Sequence, residues 1–164
     1  MNKIIVIGCP GSGKSTFAKK LSSIINIPLY HLDLIWNKPE KTTITREEFE
    51  EKLSEIFKKE DWIIDGNYQR TLETRIKEAN TIFLLDYPLE VCIDGATARI
   101  GVKRTDMPWV EEKLNEEFKQ KILSFSQDKL PEIYKLLDKY KNDKNIIIFK
   151  TREDAIKYLD NINF

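Results

Sequence analysis

The sequence is poor in the residues that build metal centres and disulfide frameworks. Its 164 residues include two cysteines and one histidine. Cys9 and Cys92 lie far apart in the chain, so their spacing predicts neither a disulfide network nor a zinc site. This cysteine usage fits a reducing compartment, and we expect a cytoplasmic protein.

Net charge and long apolar runs are lacking as well. The chain has 27 Lys and Arg residues against 27 Asp and Glu residues, so its formal net charge is zero. Such a balance gives no overall attraction to nucleic acid or to an anionic membrane. The apolar run at residues 4–7 is too short to span a membrane or to serve as a signal segment. We therefore expect no membrane association and no direct binding of nucleic acid.

What the chain does have is a regular alternation of strand and helix patterns. Short runs of β-branched residues predict strands at residues 4–7, 28–32, 61–66, 81–86 and 145–149. Helical patterns lie between and after them, at residues 15–25, 89–104, 108–126 and 130–140, with two more helices capped by Thr45 and Thr151. The alternation predicts one α/β domain over residues 1–164 with a parallel sheet.

A glycine-rich segment follows the first predicted strand and opens the first predicted helix. It fits the pattern G-x-x-x-x-G-K-[ST], in which backbone N–H groups and the positive end of the helix face phosphate groups. Lys14 is expected to reach the β- and γ-phosphates, and the Ser15 hydroxyl is expected to ligate Mg²⁺. The segment therefore predicts binding of ATP with Mg²⁺. The expected ATP-binding residues are Gly8, Pro10, Gly11, Ser12, Gly13, Lys14, Ser15 and Thr16.

Aspartates stand at the ends of three predicted strands. Asp33, Asp65 and Asp86 are therefore expected at the carboxyl edge of the sheet, where open α/β sheets bind ligands. Each has an ordinary alternative, because Asp is common at loop starts and helix caps. Beside a phosphate loop they favour a site for Mg²⁺ and substrate. We expect Asp65 to hold Mg²⁺ through water, with Asp86 as the alternative.

The segment that follows Asp65 adds groups suited to a substrate. Asn67 and Tyr68 are candidate substrate contacts, and the fork-shaped guanidinium of Arg70 suits an anionic substrate or a transferring phosphate. Arg75, five residues further on, is expected to face solvent. His31 is expected to be a hydrogen-bonded structural residue, with a role in the acceptor site as the alternative.

With these motifs in view, the chain resembles the adenylate-kinase-like P-loop kinases, and among them the FlaR-type DNA topology modulation proteins. The resemblance is carried by residues 8–16, 30–33, 62–68 and 84–88. It implies a five-stranded parallel sheet in the order 2-3-1-4-5, flanked by helices, with a helical lid segment at about residues 100–128. The family name refers to DNA, but the sequence has no DNA-reading motif and no strongly basic stripe.

The resemblance also implies roles for single residues. Asp65 resembles the metal-side acid of nucleotide kinases, and Arg70 is similar to their arginine for the substrate phosphate. Arg99, with Lys103 and Arg104, looks like the lid arginines that close on the phosphates. Helical spacing puts Arg99 and Lys103 on one face, and a solvated basic face is the alternative for Lys103 and Arg104.

Asp33 bears on the kind of acceptor. A phosphate acceptor is already a nucleophile, whereas an alcohol benefits from a carboxylate that takes the hydroxyl proton. We therefore expect transfer of the γ-phosphoryl group of ATP to a hydroxyl of a small molecule, with Lys14, Asp33 and Arg99 as catalytic residues. The alternatives are a nucleoside monophosphate kinase, in which Arg46 and Arg70 hold the acceptor phosphate, and a nucleotide-binding regulator linked to DNA topology.

Overall fold

Five parallel strands form one sheet in the order β2-β3-β1-β4-β5 in the computed structural model, which describes residues 1–113 and 116–162. The strands are β1 (Lys3–Gly8), β2 (Leu29–His31), β3 (Trp62–Asp65), β4 (Thr81–Leu85) and β5 (Asn145–Phe149). Five strands were predicted within a residue or two of these bounds, and the predicted strand order is confirmed.

Helices cover both faces of the sheet, as expected for parallel strands joined by crossovers. They are α1 (Lys14–Ile25), α2 (Leu32–Trp36), α3 (Arg46–Phe57), α4 (Gln69–Glu78), α5 (Leu89–Ala98), α6 (Glu116–Ser124), α7 (Leu130–Tyr140) and α8 (Arg152–Asn161), with a π-helical segment at Phe125–Lys129 between α6 and α7. Within the described residues, no helix combines the length and the apolar character needed to cross a bilayer.

The core explains why β1 is central. Its residues 4–7 are fully buried between β3 and β4. The register pairs Val6 with Asp65 and Gly8 with Leu85, so the carboxyl ends of the three strands lie side by side. The glycine-rich segment therefore leaves the sheet next to the carboxylate of Asp65.

The predicted caps of two helices are confirmed. Thr45 accepts a hydrogen bond from the backbone of Glu48, and the Glu48 side chain returns to the Thr45 backbone, so both halves of a capping box are present. Thr151 accepts from the backbone of Asp154 in the same way. These local bonds define where α3 and α8 begin.

The first half of the lid segment differs from the helical prediction. Helix α5 ends at Ala98, and residues 99–113 are irregular. Gly101 adopts φ 76°, and its N–H donates to the carbonyl oxygen of Glu111 at 2.6 Å, which closes this stretch into a loop. Continuous helices over residues 89–104 and 108–126 were therefore wrong predictions. Residues 114 and 115, within the second of these ranges, lie outside the described residues.

Candidate active site

The glycine-rich segment turns sharply between β1 and α1. Gly11 and Gly13 have φ of 84° and 91°, values that glycine adopts readily. Gly11 also lies against α5, since a Cβ there would come within 2.0 Å of the Cys92 carbonyl oxygen. Cys9 is buried and its sulfur is a free thiol, which lies 3.9 Å from the carbonyl oxygen of Ile122 on α6. The local sequence thus produces the predicted turn, from which α1 begins at Lys14.

Asn67 fastens this turn to the end of β3. Its Nδ2 donates to the carbonyl oxygen of Gly8 at 2.6 Å, and its Oδ1 accepts from the Gly8 N–H at 3.1 Å. Both ends of the amide are therefore engaged with one residue of the backbone. In this structure the Asn67 side chain positions the glycine-rich turn, and its predicted contact with substrate stays a prediction.

Arg75 holds the segment that carries Asn67. Its side chain is fully buried and donates hydrogen bonds to the carbonyl oxygens of Gly66, Asn67 and Tyr68, and to Thr71. Burial lowers the pKa of Arg75 to about 9, so the guanidinium still carries its charge at neutral pH. The prediction that Arg75 faces solvent was wrong, because three carbonyl groups and the Thr71 hydroxyl replace water around four of its five N–H donors.

Ser15 and Asp65 meet at the position predicted for the metal. The Ser15 hydroxyl donates to Asp65 Oδ2 at 2.6 Å, and His31 Nδ1 contacts the same oxygen at 2.6 Å. His31 is therefore hydrogen-bonded, in agreement with its predicted structural role. Asp65 is 3% exposed, and its other oxygen, Oδ1, is buried without a hydrogen-bond partner among the described residues. A hydroxyl next to an under-used carboxylate fits Mg²⁺, which prefers oxygen ligands.

Asp86 is engaged elsewhere. Its Oδ2 accepts from Lys150, which directly follows β5, and from the hydroxyl of Tyr134 on α7. Asp86 thus has a cationic partner of its own, whereas Asp65 lies directly against the Ser15 hydroxyl. This difference favours Asp65 over Asp86 as the metal-side acid.

A cavity of about 170 Å³ opens in front of the glycine-rich turn. The described residues that line it include five with cationic side chains and a single carboxylate, Asp106. The cations are Lys14, Lys19, Arg99, Lys103 and Arg104. Such a charge distribution, beside a helix N-terminus, suits a polyanion such as a triphosphate. We call this space the phosphate cavity.

Arg99 is a half-buried cation of the lid segment that lines this cavity. Its Cζ lies 5.8 Å from the centre of the Phe118 ring. Its Nε is buried and has no hydrogen-bond partner among the described residues. Burial, and then the neighbouring charge of Arg104, lower the pKa of Arg99 below its usual value. An anion in the cavity would accept a hydrogen bond from the Arg99 Nε–H and would offset the repulsion between Arg99 and Arg104.

Asp33 lies with Tyr68 on the other side of the site. The Tyr68 hydroxyl donates to Asp33 Oδ1 at 2.7 Å, and its ring packs against Trp36 and Phe49 at centroid distances of 6.2 and 5.2 Å. Burial and the Asp33 charge raise the pKa of Tyr68, so its hydroxyl stays protonated. Asp33 Oδ2 accepts no hydrogen bond from any described residue. The Tyr68 hydroxyl thus holds one oxygen of Asp33, and the described residues leave the other oxygen available to accept a proton.

Arg70 lies apart from these groups. Its guanidinium pairs with Glu50 of α3 at 3.3 Å, and almost half of the side chain is exposed. It is not among the described residues that line the phosphate cavity. Its predicted role in binding substrate therefore stays a prediction.

A second cavity, of about 320 Å³, adjoins the first between the lid segment and the loop after α2. Phe118 and Glu111 belong to its lining and contact Arg99 and Arg104 of the phosphate cavity. Trp109 also lines it, and Lys41 lies 6.0 Å from the centre of the Trp109 ring. Aromatic and charged groups together can accommodate a small polar molecule.

Comparison with known proteins places the fold. No protein-family model matches the chain, and no curated protein matches it. Among solved structures, shikimate kinase from Aquifex aeolicus is 21% identical with a TM-score of 0.53, and the match covers 96% of this chain and 90% of that chain. The chain has the fold of the P-loop kinases. The resemblance to FlaR-type proteins has no counterpart in these comparisons and stays a prediction.

Two further structures agree with this P-loop kinase fold. A gluconokinase from Sinorhizobium meliloti 1021 is 13% identical with a TM-score of 0.54, covering 97% of this chain and 87% of that chain. Shikimate kinase from Bacteroides thetaiotaomicron is 18% identical with a TM-score of 0.54, covering 96% and 93%. At these identities the likeness establishes the fold, and the residues of the site have to support any function.

Within this fold, the sequence prediction missed three residues of the site. Lys19 and Asp106 line the phosphate cavity, and Arg75 supports the loop that holds the glycine-rich turn. Lys19 could have been found, because it follows Ser15 by four residues and so lies on the same face of α1. Asp106 lies in an irregular loop, where no periodic signal points to burial.

Proposed function

We propose that the protein is an ATP-dependent kinase that phosphorylates a hydroxyl group of a small molecule. The observation that carries this proposal is the phosphate cavity, in which five cationic side chains surround the N-terminus of α1. A triphosphate has the charge and the size for such a place. The P-loop kinase fold is in keeping with this proposal.

On the donor side, Lys14 and Arg99 would neutralise the γ-phosphate as charge moves between its oxygens. Ser15 and Asp65 would hold Mg²⁺, which supplies charge neutralisation on the phosphate oxygens when it is bound. Lys103 and Arg104 belong to the irregular stretch at residues 99–113, which we call the lid loop, and would exclude water from the transferring group. The backbone of residues 8–16 would bind the remaining phosphate oxygens.

On the acceptor side, Asp33 would act as the base. The acceptor oxygen would form a bond to the γ-phosphorus, the bond from that phosphorus to the β–γ bridging oxygen would break, and ADP would leave. The hydroxyl proton would pass to Asp33 Oδ2, because Oδ1 already accepts from Tyr68. Tyr68 would thereby orient the carboxylate without competing for that proton.

A hydroxyl acceptor fits this chain better than a phosphate acceptor. A phosphate acceptor calls for arginines that face it, but Arg70 is paired with Glu50 and Arg46 is exposed at the start of α3. The similar structures are named for shikimate and gluconate, which both carry hydroxyl groups.

A screen of ATP consumption tests the proposal. Nucleosides, sugars, hydroxy acids and nucleoside monophosphates are each added with MgATP, and ADP release is followed for the wild type and for Lys14→Ala. We expect at least one hydroxyl compound to raise ADP release well above the rate without acceptor, and Lys14→Ala to abolish the increase. Asp138→Asn, at an exposed carboxylate on α7, is the control and should behave as the wild type. If no acceptor stimulates release, the proposed function is wrong.

A further inference from the structure

Asp106 of the lid loop is placed unusually for a carboxylate. It is 5% exposed, and it is the single acidic residue among the described residues that line the phosphate cavity. Its Oδ2 lies 3.3 Å from the Ser15 hydroxyl oxygen and accepts a hydrogen bond from Arg104 Nη1 at 3.3 Å. A lid residue thus reaches the same hydroxyl that Asp65 contacts from the sheet.

This position creates an electrostatic conflict when phosphates are bound. A carboxylate among phosphate groups is repelled by them, and the repulsion is strong in a cavity that excludes water. Asp65 adds to the conflict, because it shares the Ser15 hydroxyl and its Oδ2 lies at most about 6 Å from that of Asp106. With phosphates bound, two carboxylates and several phosphate groups would lie around the Ser15 hydroxyl. A cation between them would offset their mutual repulsion.

The nearby arginine does not remove the conflict. Arg104 pairs with Asp106 and also with Glu111, which lies at 3.5 Å, so one positive charge is shared between two carboxylates. Asp65 Oδ1 is buried and has no hydrogen-bond partner among the described residues. Carboxylate oxygens near Ser15 are therefore left that a divalent cation could use.

We propose that Asp106 is a lid-borne ligand of the divalent cation in this site, together with Ser15 and Asp65. The inference rests on the proposed function to the extent that the metal arrives with a nucleotide. Its donors are hydroxyl and carboxylate oxygens, which suit Mg²⁺ and Mn²⁺. Because Asp106 belongs to the lid loop, the metal joins that loop to the sheet. Closure of the loop over a nucleotide then depends on the metal.

Mn²⁺ binding tests this inference without any acceptor. Free Mn²⁺ is titrated by electron paramagnetic resonance in the presence of a non-hydrolysable ATP analogue, for the wild type, Asp106→Asn and Glu111→Gln. Asparagine keeps the shape of Asp106 and removes its charge, so we expect the dissociation constant for Mn²⁺ to rise about tenfold or more. Glu111→Gln removes the other partner of Arg104, and it should change the constant less than about twofold.

Nucleotide binding in the presence of EDTA gives a second readout, with the opposite sign. Without metal, Asp106 repels the phosphates, so Asp106→Asn should bind the analogue more tightly than the wild type does. A residue that only supports the lid would weaken binding when replaced.

Trypsin cleavage after the exposed Lys103 should be slowed by Mn²⁺ and the analogue in the wild type, and much less so in Asp106→Asn.

The outcomes separate this inference from the proposed function. If Asp106→Asn binds Mn²⁺ like the wild type, or if Glu111→Gln weakens Mn²⁺ binding equally, Asp106 is not a ligand and the inference is wrong. If Asp106→Asn weakens Mn²⁺ binding while no acceptor stimulates ATP consumption, the inference stands and the proposed function fails. If the wild type itself binds no Mn²⁺ with the analogue, both are wrong.

Discussion

Replacing Arg75 by methionine is expected to destabilise the fold severely, because this residue holds the segment between β3 and α4. The buried guanidinium donates to the carbonyl oxygens of Gly66, Asn67 and Tyr68 and to the hydroxyl of Thr71. Methionine has a similar length and no donors. The substitution therefore leaves three carbonyl groups without their partner in a buried place.

The magnitude follows from these contacts. A hydrogen bond from a charged donor contributes about 1.5–3 kcal/mol, so four of them amount to about 6–12 kcal/mol before desolvation is counted. Burying the guanidinium costs several kcal/mol, which the variant recovers, so the expected net loss is about 3–5 kcal/mol. In a domain of this size about 1 kcal/mol lowers Tm by roughly 2–4 °C, so Tm should fall by on the order of 10 °C.

The matched control is Arg70→Met, five residues earlier on the same helix. Arg70 forms one partly exposed ion pair with Glu50, a contact whose loss costs less than about 1 kcal/mol. Urea unfolding followed by tryptophan fluorescence, with thermal melts of the same samples, gives both differences. If Arg75→Met is no less stable than Arg70→Met, the buried network does not support the loop and the reasoning is refuted.

Three further substitutions probe separate parts of the structure. Asn67→Ala removes both bonds to the backbone of Gly8, and we expect about tenfold weaker binding of an ATP analogue by calorimetry. Gly95→Ala would put a Cβ about 2.0 Å from the Gly11 carbonyl oxygen, so the glycine-rich turn must shift. Binding of the analogue should therefore weaken about tenfold as well, and unchanged binding would contradict this close approach. Thr45→Ala removes a capping box, and urea unfolding should reveal a loss of about 1 kcal/mol while binding of the analogue is unchanged.

The strands and the phosphate loop could be predicted from the sequence because their signals are local. The β-branched runs, the glycine-rich turn and the capping threonines each report on neighbouring residues, and all are confirmed as structural elements. The position of Asp65 beside Ser15 follows from strand register, since the carboxyl ends of parallel strands meet at one edge.

The irregular lid loop and the buried contacts of Arg75 and Asp106 could not be predicted in this way. The bond from Gly101 to Glu111 joins residues ten apart, and no periodic pattern announces it. Arg75 carries a charge on a helix and so suggests a solvent-exposed position, yet its partners are carbonyl groups that turn toward it where Tyr68 adopts a positive φ of 32°. Asp106 is buried by contacts of the same long-range kind.

Transfer of label from ATP is the most direct test of whether the protein phosphorylates a hydroxyl group of a small molecule. The products of reactions with γ-labelled ATP are identified for hydroxyl compounds and for nucleoside monophosphates, with the wild type and Asp33→Asn. We expect a labelled phosphate ester of at least one hydroxyl compound, and a rate of formation at least about a hundredfold lower in Asp33→Asn. Label that appears only in nucleoside diphosphates or in free phosphate, or a rate that Asp33→Asn leaves intact, would contradict it.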